Sequence, residues 1–181
     1  LQGKIFTIAE GLQPISDLGM KWWFSKYLHY FLLDQFPDFG LVGNPVVGIG
    51  CQSVFDNENQ ILYFSKTDYK IKDQFLPYTQ LVKGDQFAVN GLLVQLGDPI
   101  YFEDTSWTIS YDPKAQAWIS FHDWHPELAI ASKSYFLTTI TGAQGTGQIW
   151  RHNFRTDLFA NYYGQDHPFE IEVLSNTGQL V

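Results

Sequence analysis

The sequence contains one cysteine, Cys51, and no long uninterrupted run of apolar residues. A single cysteine cannot form an internal disulfide, which excludes the small secreted scaffolds that disulfides hold together. Cys51 lies between small and apolar residues, so we expect its thiol to be buried and unreactive. No stretch approaches the roughly 18 consecutive apolar residues that a membrane-spanning helix needs, so we expect no membrane span.

Basic side chains are also scarce. The chain has 11 lysines and arginines against 19 aspartates and glutamates, which gives a formal net charge of -8 at pH 7. A protein with a negative net charge repels the phosphate backbone of nucleic acid. It also has few lysines and arginines that could displace the counterions bound to that backbone. We therefore expect no tight binding to nucleic acid.

Aromatic residues are abundant, with 6 tryptophans, 10 tyrosines and 15 phenylalanines among 181 residues. Such residues favour strands because their rings pack well on a pleated, half-buried surface. Short aromatic and β-branched runs separated by Asp, Asn, Gly or Pro are typical of antiparallel strands joined by turns, so we predict a mostly β fold. The predicted strands are KIFTIA, CQSVF, ILYFSK, QFAVN, LLVQL, PIYFED, SWTISY, AWISFH, YFLTTI, GQIWRH and PFEIEVL.

One segment has the periodicity of a helix instead. Apolar residues recur at helical spacing in LGMKWWFSKYLHYFLL, and Ser16 is placed to cap a helix that starts after it. Phe36 precedes a proline, which disfavours the helical conformation and ends the pattern. The sequence therefore predicts one helix near the N-terminus, over about residues 17–33.

Two segments 56 residues apart share an aromatic residue, an aspartate, a glutamine and a large apolar residue at equivalent positions. In each segment the aspartate is suited to cap a turn, and four residues lead into a returning strand, so we predict two similar β-hairpins. Recurring hairpins favour the blades of a β-propeller, with a β-sandwich or open barrel as the alternative. The residues singled out in the hairpins are Phe55, Asp56, Gln60, Tyr111, Asp112, Gln116 and Trp118.

His122, Asp123 and His125 offer the ligand types of a site for zinc or another divalent metal. On a strand the two histidines would point to opposite faces, and only a turn at Pro126 would bring them together. We favour the interpretation that these side chains order a loop at the end of a strand. We therefore predict no metal site, no cofactor and no catalytic residue.

Two other functions stay open at this point. Paired carboxylates among Asp104, Asp123, Glu170 and Glu172 would suit glycoside hydrolysis if two of them lay about 5 to 9.5 Å apart. A platform of aromatic rings would suit carbohydrate binding, including recognition of a host glycan, although aromatic residues in a sheet more often fill a core. The residues of that candidate platform are Trp118, Trp124, Trp150, Tyr162 and Tyr163.

Several motifs occur in a specific order along the chain. They are GLQPISDLGMKWWF, DQFPDF, NPVVGIG, SVFDNENQILYFSKTDYK, SWTISYDPKAQAWISFHDWHPE, GQIWRHN, FANYYGQDHPFEIE and NTGQ. In this order they resemble a large structural protein of the tail in crAss-like and related short-tailed bacteriophages, of the muzzle or nozzle type. The resemblance implies a non-enzymatic virion component, assembled in the host cytoplasm, and carries no catalytic residues.

The same resemblance implies that copies of the chain and neighbouring tail proteins form a ring or tube wall through which the genome is ejected. It also implies a region of a much longer polypeptide, which agrees with a chain that starts at Leu1 without methionine. The strand-like run FEIEVL near the end would offer an edge for pairing with another chain. We therefore expect residues 1–181 to be a single β-rich region that associates with partners.

Overall fold

The computed structural model describes residues 3–8, 11–141, 147–152, 160–168 and 170. The protein is mostly β, with short antiparallel strands in several sheets and two short α-helices, which confirms the predicted fold class. The helices are α1 (Lys21–Tyr27) and α2 (Phe31–Gln35). The strands in the described ranges are β1 (Phe6–Ile8), β2 (Leu12–Pro14), β3 (Gly50–Asp56), β4 (Ile61–Thr67), β5 (Tyr69–Ile71), β6 (Thr79–Lys83), β7 (Gln86–Val89), β8 (Leu92–Gln95), β9 (Phe102–Asp104), β10 (Trp107–Asp112), β11 (Ala117–His122), β12 (Leu128–Ala131), β13 (Phe136–Thr141), β14 (Gly147–Arg151), β15 (Asn161–Tyr162) and β16 (Gln165–Asp166).

The main sheet has four antiparallel strands in the order β11-β10-β4-β3, so the chain runs back and forth between neighbours. An insertion separates β4 from β10. Its first and last strands, β5 and β9, pair with each other and continue the β4–β10 pairing in the same register. The insertion also contains a three-stranded antiparallel sheet, β6-β7-β8.

A second sheet, β12-β13-β14, follows the main sheet along the chain, and its strand β12 lies against β3. Two-stranded ribbons are formed by β1 with β2 and by β15 with β16. These sheets do not form a closed ring of blades within the described ranges, so the propeller stays a prediction. The predicted strand PFEIEVL falls mostly outside the described residues.

The buried side chains form separate clusters, two on the faces of the main sheet and a third between the insertion and the segment from α2 to β3. One face packs against α1 through Phe24, Trp107 and Ile109. The other face contributes Val54 and Tyr63 to a cluster that the rest of the chain completes with Trp124 and Phe136. The third cluster contains Leu32, Phe39 and Ile49 from the segment before β3, and Ile71, Phe87, Val89, Val94 and Phe102 from the insertion.

The predicted hairpins are both present, as β3–β4 and β10–β11. Asp56 Oδ1 accepts hydrogen bonds from the backbone N–H groups of Glu58 and Asn59, at 3.0 and 3.2 Å. The Oδ1 atom of Asp112 accepts from the two equivalent backbone groups, those of Lys114 and Ala115, at 2.7 and 3.1 Å.

The last loop residue also has the same conformation in both hairpins, because Gln60 and Gln116 have φ angles of 59° and 52°. Phe55 pairs with Leu62, and Tyr111 pairs with Trp118, so the shared sequence pattern corresponds to a shared backbone geometry.

The prediction of one helix over residues 17–33 is wrong. The chain forms a 3₁₀ turn at Ile15–Asp17 and then two short helices, α1 and α2, separated at residues 28–30. Ser16 does not cap α1, whose N-cap residue is Met20 without a side-chain hydrogen bond. Instead the hydroxyl of Ser16 is buried and accepts the backbone N–H of Ile5 at 3.3 Å.

The break between the helices is stabilised by a buried ion pair from the main sheet. Lys66 Nζ lies 2.8 Å from Asp68 Oδ2, and both side chains are fully buried. Lys66 donates to the carbonyl oxygens of Tyr27 and His29, where α1 ends. Asp68 accepts the backbone N–H of Phe31 at 2.7 Å, where α2 begins. The pair therefore supplies partners for backbone groups that a continuous helix would have bonded internally.

Loss of the aspartate caps should destabilise the two hairpins to different extents. We expect Asp112→Ala to lower the free energy of unfolding by about 1 kcal/mol, because water reaches the freed N–H groups. We expect Asp56→Ala to cost about 2–3 kcal/mol, because Asp56 is fully buried and also accepts from Asn59 Nδ2. Urea unfolding measures both, with Asp112→Asn as the control that keeps the acceptor. Equal losses would contradict this difference.

The Lys66–Asp68 pair should show strong energetic coupling. We expect Lys66→Met to cost about 3–5 kcal/mol, because it leaves a buried carboxylate without its counter-charge. Asp68→Asn keeps an oxygen acceptor for the N–H of Phe31. The double variant Lys66→Met/Asp68→Asn should therefore cost less than the sum of the single changes. Urea unfolding of the three variants tests this, and strictly additive losses would refute the coupling.

Candidate functional site

The segment from His122 to Glu127, which joins β11 to β12, lies between two clefts. His122, Asp123 and Trp124 line the first cleft, together with residues of the segment 160–170. His125 and Glu127 line the second cleft, together with residues of the insertion and of the chain before β3. The dense pattern of histidine, aspartate and tryptophan in this segment is therefore divided between two separate surfaces.

The first cleft has a volume of about 590 Å³ and is closed on one side by an ion pair. His167 Nδ1 lies 2.5 Å from Asp123 Oδ1, and His167 Nε2 lies 3.2 Å from the carbonyl oxygen of Tyr162. The two ring nitrogens therefore connect the Asp123 side chain to the backbone of Tyr162. This contact fastens the segment 160–168 to the segment that follows β11.

His122 also lines the first cleft but is held in its neutral form. Its Nε2 lies 2.9 Å from Ser110 Oγ, and its ring packs on Tyr63 and Trp124. Burial lowers the pKa of His122 to about 4, although the nearby Asp123 carboxylate acts in the opposite direction. At neutral pH this imidazole therefore carries no charge and acts as a hydrogen-bonding group of the wall.

Behind the first cleft lies a second buried histidine, His152. Its Nε2 lies 2.7 Å from Thr138 Oγ1, which in turn lies 3.0 Å from Tyr163 Oη. The ring stacks on Phe136 with centroids 4.6 Å apart. Burial lowers the pKa of His152 to about 4, so it too is neutral at pH 7. Trp124 lies between this group and the cleft, and its buried Nε1–H has no acceptor among the described residues.

The second cleft has a volume of about 510 Å³ and is strongly acidic. Asp85, Asp104 and Glu127 line it, and no lysine or arginine does so in the described part of the chain. Tyr69 forms part of the wall, and its pKa is raised to about 12, first by burial and then by the Asp104 and Glu127 carboxylates. His125 hydrogen bonds to Thr108 Oγ1 at 3.1 Å, and burial lowers its pKa. The cleft therefore carries negative charge that no basic side chain among its described lining residues offsets.

The structure does not bring the three metal candidates together. His122 and Asp123 line the first cleft, whereas His125 lines the second. The described ranges also contain no group of three or more His, Cys, Asp or Glu side chains that could hold a metal ion. Because β10 residues Ser110 and Thr108 engage the two histidines separately, these rings serve as buried hydrogen-bonding groups of the sheet.

The candidate carboxylates are also divided. Asp123 and Glu170 line the first cleft, Asp104 lines the second, and Glu172 falls outside the described residues. A hydrolase needs one carboxyl group in apolar surroundings that keep it protonated. The Asp123 side chain is instead 71% exposed and paired with a histidine. The pair in the first cleft therefore lacks the environment of a general acid.

The rings of the candidate aromatic platform are divided between the two faces of the main sheet. Trp118 packs on the helix side of the main sheet, where its Nε1 donates to the carbonyl oxygen of Ile15. Trp124 lies on the opposite face and stacks on Tyr162, with centroids 4.6 Å apart, inside the other core cluster. Tyr163 also packs there, and Trp150 meets it edge-on. The five rings therefore do not form one exposed surface on which a sugar could stack.

One further expectation about burial is corrected. Cys51, which was expected to be buried, is exposed, and its Sγ lies 3.5 Å from Tyr30 Oη. It lies opposite Lys66 in the register of β3 and β4, on the helix side of the main sheet. Phe121 on β11 is 55% exposed, and its ring meets that of Trp23 at the rim of the helix cluster. Strand alternation identifies faces in a sequence, but it does not show whether a neighbouring segment covers them.

Sequence reasoning missed Lys66, Asp68, His152 and His167. Lys66 and Asp68 had one available signal, since two opposite charges two residues apart interrupt a strand of otherwise apolar and small residues. His167 and Asp123 are 44 residues apart, and no local pattern connects them. His152 follows an ordinary strand and is distinguished only by the aromatic rings that pack on it in the fold.

No protein-family model matches the chain, and no curated protein or solved structure matches it. None of the helices in the described ranges is long and apolar enough to cross a membrane. The resemblance to tail proteins therefore stays a prediction from the sequence motifs, and we infer function from the surfaces of the protein itself.

His152 should make the stability of the protein depend on pH. Its pKa is lower in the folded chain than the ordinary histidine value of 6.5, so the stability it contributes is complete above pH 6.5 and is lost as the pH falls toward 4. Within that window we expect titration of His152 to lower the free energy of unfolding by up to about 1.4 kcal/mol for each pH unit. Urea unfolding at several pH values should therefore give a shallower dependence for His152→Gln than for the wild type. Thr138→Val is the control, because it removes the hydrogen-bond partner without removing the titrating group, and a wild-type slope in His152→Gln would contradict the assignment.

Proposed function

We propose that the chain is a non-enzymatic structural subunit that assembles with copies of itself and with neighbouring proteins into the wall of a bacteriophage tail. The observation that carries this proposal is the apolar character of the outer strands. Large apolar side chains are exposed on at least one outermost strand of each of the three sheets with more than two strands. These side chains include Ile119 (50% exposed) and Phe121 on β11, Leu128 and Ile130 (53%) on β12, Ile149 (75%) on β14, Val82 on β6 and Leu92 on β8.

Outer strands are the positions at which isolated proteins normally avoid such side chains. An edge strand offers unpaired backbone groups to other chains, and natural monomers protect it with charges, proline or a covering segment. When such an edge pairs with another chain, its apolar side chains are removed from water, which makes the pairing more favourable. The pattern therefore favours a subunit whose edges are covered in an assembly.

The overall charge agrees with a conduit for nucleic acid. A wall that attracted phosphate groups would retain the DNA that has to pass along it, whereas a chain with a net charge of -8 repels it. The order of the sequence motifs supports the same function. An enzymatic role finds less support, since Asp123 is exposed and paired with a histidine, and His122 and His125 serve as hydrogen-bonding groups of the sheet.

Self-association is the direct test of this proposal. We expect light scattering to show masses above the 20.8 kDa of the single chain that rise with concentration. Ile119→Lys and Ile130→Lys place charges on two outer strands and should shift the equilibrium toward the single chain. Ile100→Lys is the matched control, because Ile100 is 63% exposed but lies outside the strands. A monodisperse single chain at every concentration would refute the proposal.

Three binding assays distinguish the rival functions. A tail-wall subunit should not retain duplex DNA at about 0.15 M salt, where affinity depends on counterion release. It should also bind no member of a glycan array and release no sugar from a panel of polysaccharides. Specific glycan binding would favour host recognition, and sugar release would favour a hydrolase; either result would contradict a purely structural role.

A further inference from the structure

The outer surface of α1 carries an exposed basic and aromatic strip, formed by Lys21, Trp22 and Lys26. All three side chains are exposed, and the Trp22 side chain is 72% exposed. Their spacing places them within one half of the helix circumference. The Lys26 ammonium lies 5.5 Å from the centroid of the Trp22 ring, so the two groups form a single surface. Neither lysine forms an ion pair with a described carboxylate.

The second cleft has the complementary properties. Three carboxylates, those of Asp85, Asp104 and Glu127, face the same volume of about 510 Å³. Like charges in one cleft repel each other, and the energy rises as neighbouring groups exclude water. The edge of the cleft also has an apolar portion, because Val46 and Val47 line it and each is 50% exposed.

Two of the carboxylates are held in place before any partner arrives. Glu127 Oε1 accepts the backbone N–H of Thr141 at 2.9 Å, and Asp104 Oδ1 accepts that of Ser106, also at 2.9 Å. Each keeps a second oxygen for a further donor, since a carboxylate can accept several hydrogen bonds. A cationic group that enters the cleft would therefore meet fixed acceptors and lose little of its binding energy to their ordering.

We propose that the strip of one copy of the chain docks in the second cleft of another copy, through Lys21 and Lys26 against the carboxylates and Trp22 against Val46 and Val47. This inference rests on the proposed assembly function and specifies a contact within it. Tryptophan in the middle of a contact, with charges around it, is the composition of an energetic hot spot. Opposite charge on the two surfaces would also select the orientation of the incoming copy.

The two surfaces differ, which determines the kind of assembly. A contact between different surfaces of identical chains is heterologous, so every copy keeps one free strip and one free cleft until the chain of contacts closes. Such contacts form a ring when the rotation between copies closes and an open filament when it does not. Either product would suit the wall of a ring or tube, whereas a two-fold symmetric dimer would not arise from this contact alone.

Charge reversal followed by mixing tests the contact. The strip variant is Lys21→Glu/Lys26→Glu, and the cleft variant is Asp85→Lys/Glu127→Gln, in which glutamine keeps the acceptor for Thr141. We expect each variant alone to associate at least about tenfold more weakly than the wild type, as measured by light scattering of the full chain at about 0.15 M salt. An equimolar mixture should recover pairwise association, because the unchanged strip of the cleft variant meets the unchanged cleft of the strip variant.

Lys114→Glu/Lys133→Glu is the matched control, since it changes the net charge as the strip variant does but lies outside both surfaces. It should associate like the wild type. Wild-type association that persists in the strip and cleft variants would overturn this contact and leave the proposed assembly function intact. Failure of the mixture to recover association, or tight binding of Mg²⁺ or Ca²⁺ that requires Asp85 and Glu127, would also overturn it. A wild-type chain that never associates would refute both proposals together.

Discussion

The buried Lys66–Asp68 ion pair is the interaction on which the rest of the structure depends, because it joins the main sheet to both helices. The ammonium of Lys66 has three donors and meets three acceptors, namely Asp68 and the carbonyl oxygens of Tyr27 and His29. Burial lowers the pKa of Lys66, and the adjacent Asp68 carboxylate opposes that shift. Two charges inside the protein are tolerated only with this degree of pairing. The pair thereby fixes where α1 ends, where α2 begins and how both lie on the sheet.

This arrangement explains why the two faces of the main sheet have different chemistry. The helix face is filled by rings, such as Trp107 and Phe24, that need only apolar neighbours. The opposite face carries a buried polar row in which Ser65 Oγ lies 2.9 Å from Thr108 Oγ1. Hydroxyl groups in a core require partners, and neutral His122 and His125 supply them because burial keeps both rings uncharged. The histidines that resembled metal ligands in the sequence therefore complete a hydrogen-bonded core.

Local features of the fold were predictable, and contacts between distant segments were not. The hairpins follow from Asp56 and Asp112, because an aspartate that caps a four-residue loop acts within a few residues of itself. The single predicted helix failed because its apolar spacing continues through residues 28–30, whereas Lys66 and Asp68 bind the backbone groups at that point. The clefts could not be predicted either, because they too are formed by segments that are distant in the sequence. His167 reaches Asp123 across 44 residues, and only the folded chain decides which acids share a cleft.

The segment from His122 to Glu127 shows how a scaffold of this kind can present a surface for assembly. Pro126 and Trp124 are buried, so the segment is anchored in the core while Asp123 and Glu127 reach two different clefts. Anchored acidic groups lose little side-chain entropy when a partner arrives, in contrast with charges on flexible loops. The insertion, which Gln35 fastens to α2 through both backbone groups of Ile71, supplies Asp85 on the far side of the second cleft. A partner that enters this cleft would therefore contact several segments that the fold already holds together, which favours a rigid contact between subunits over a mobile tether.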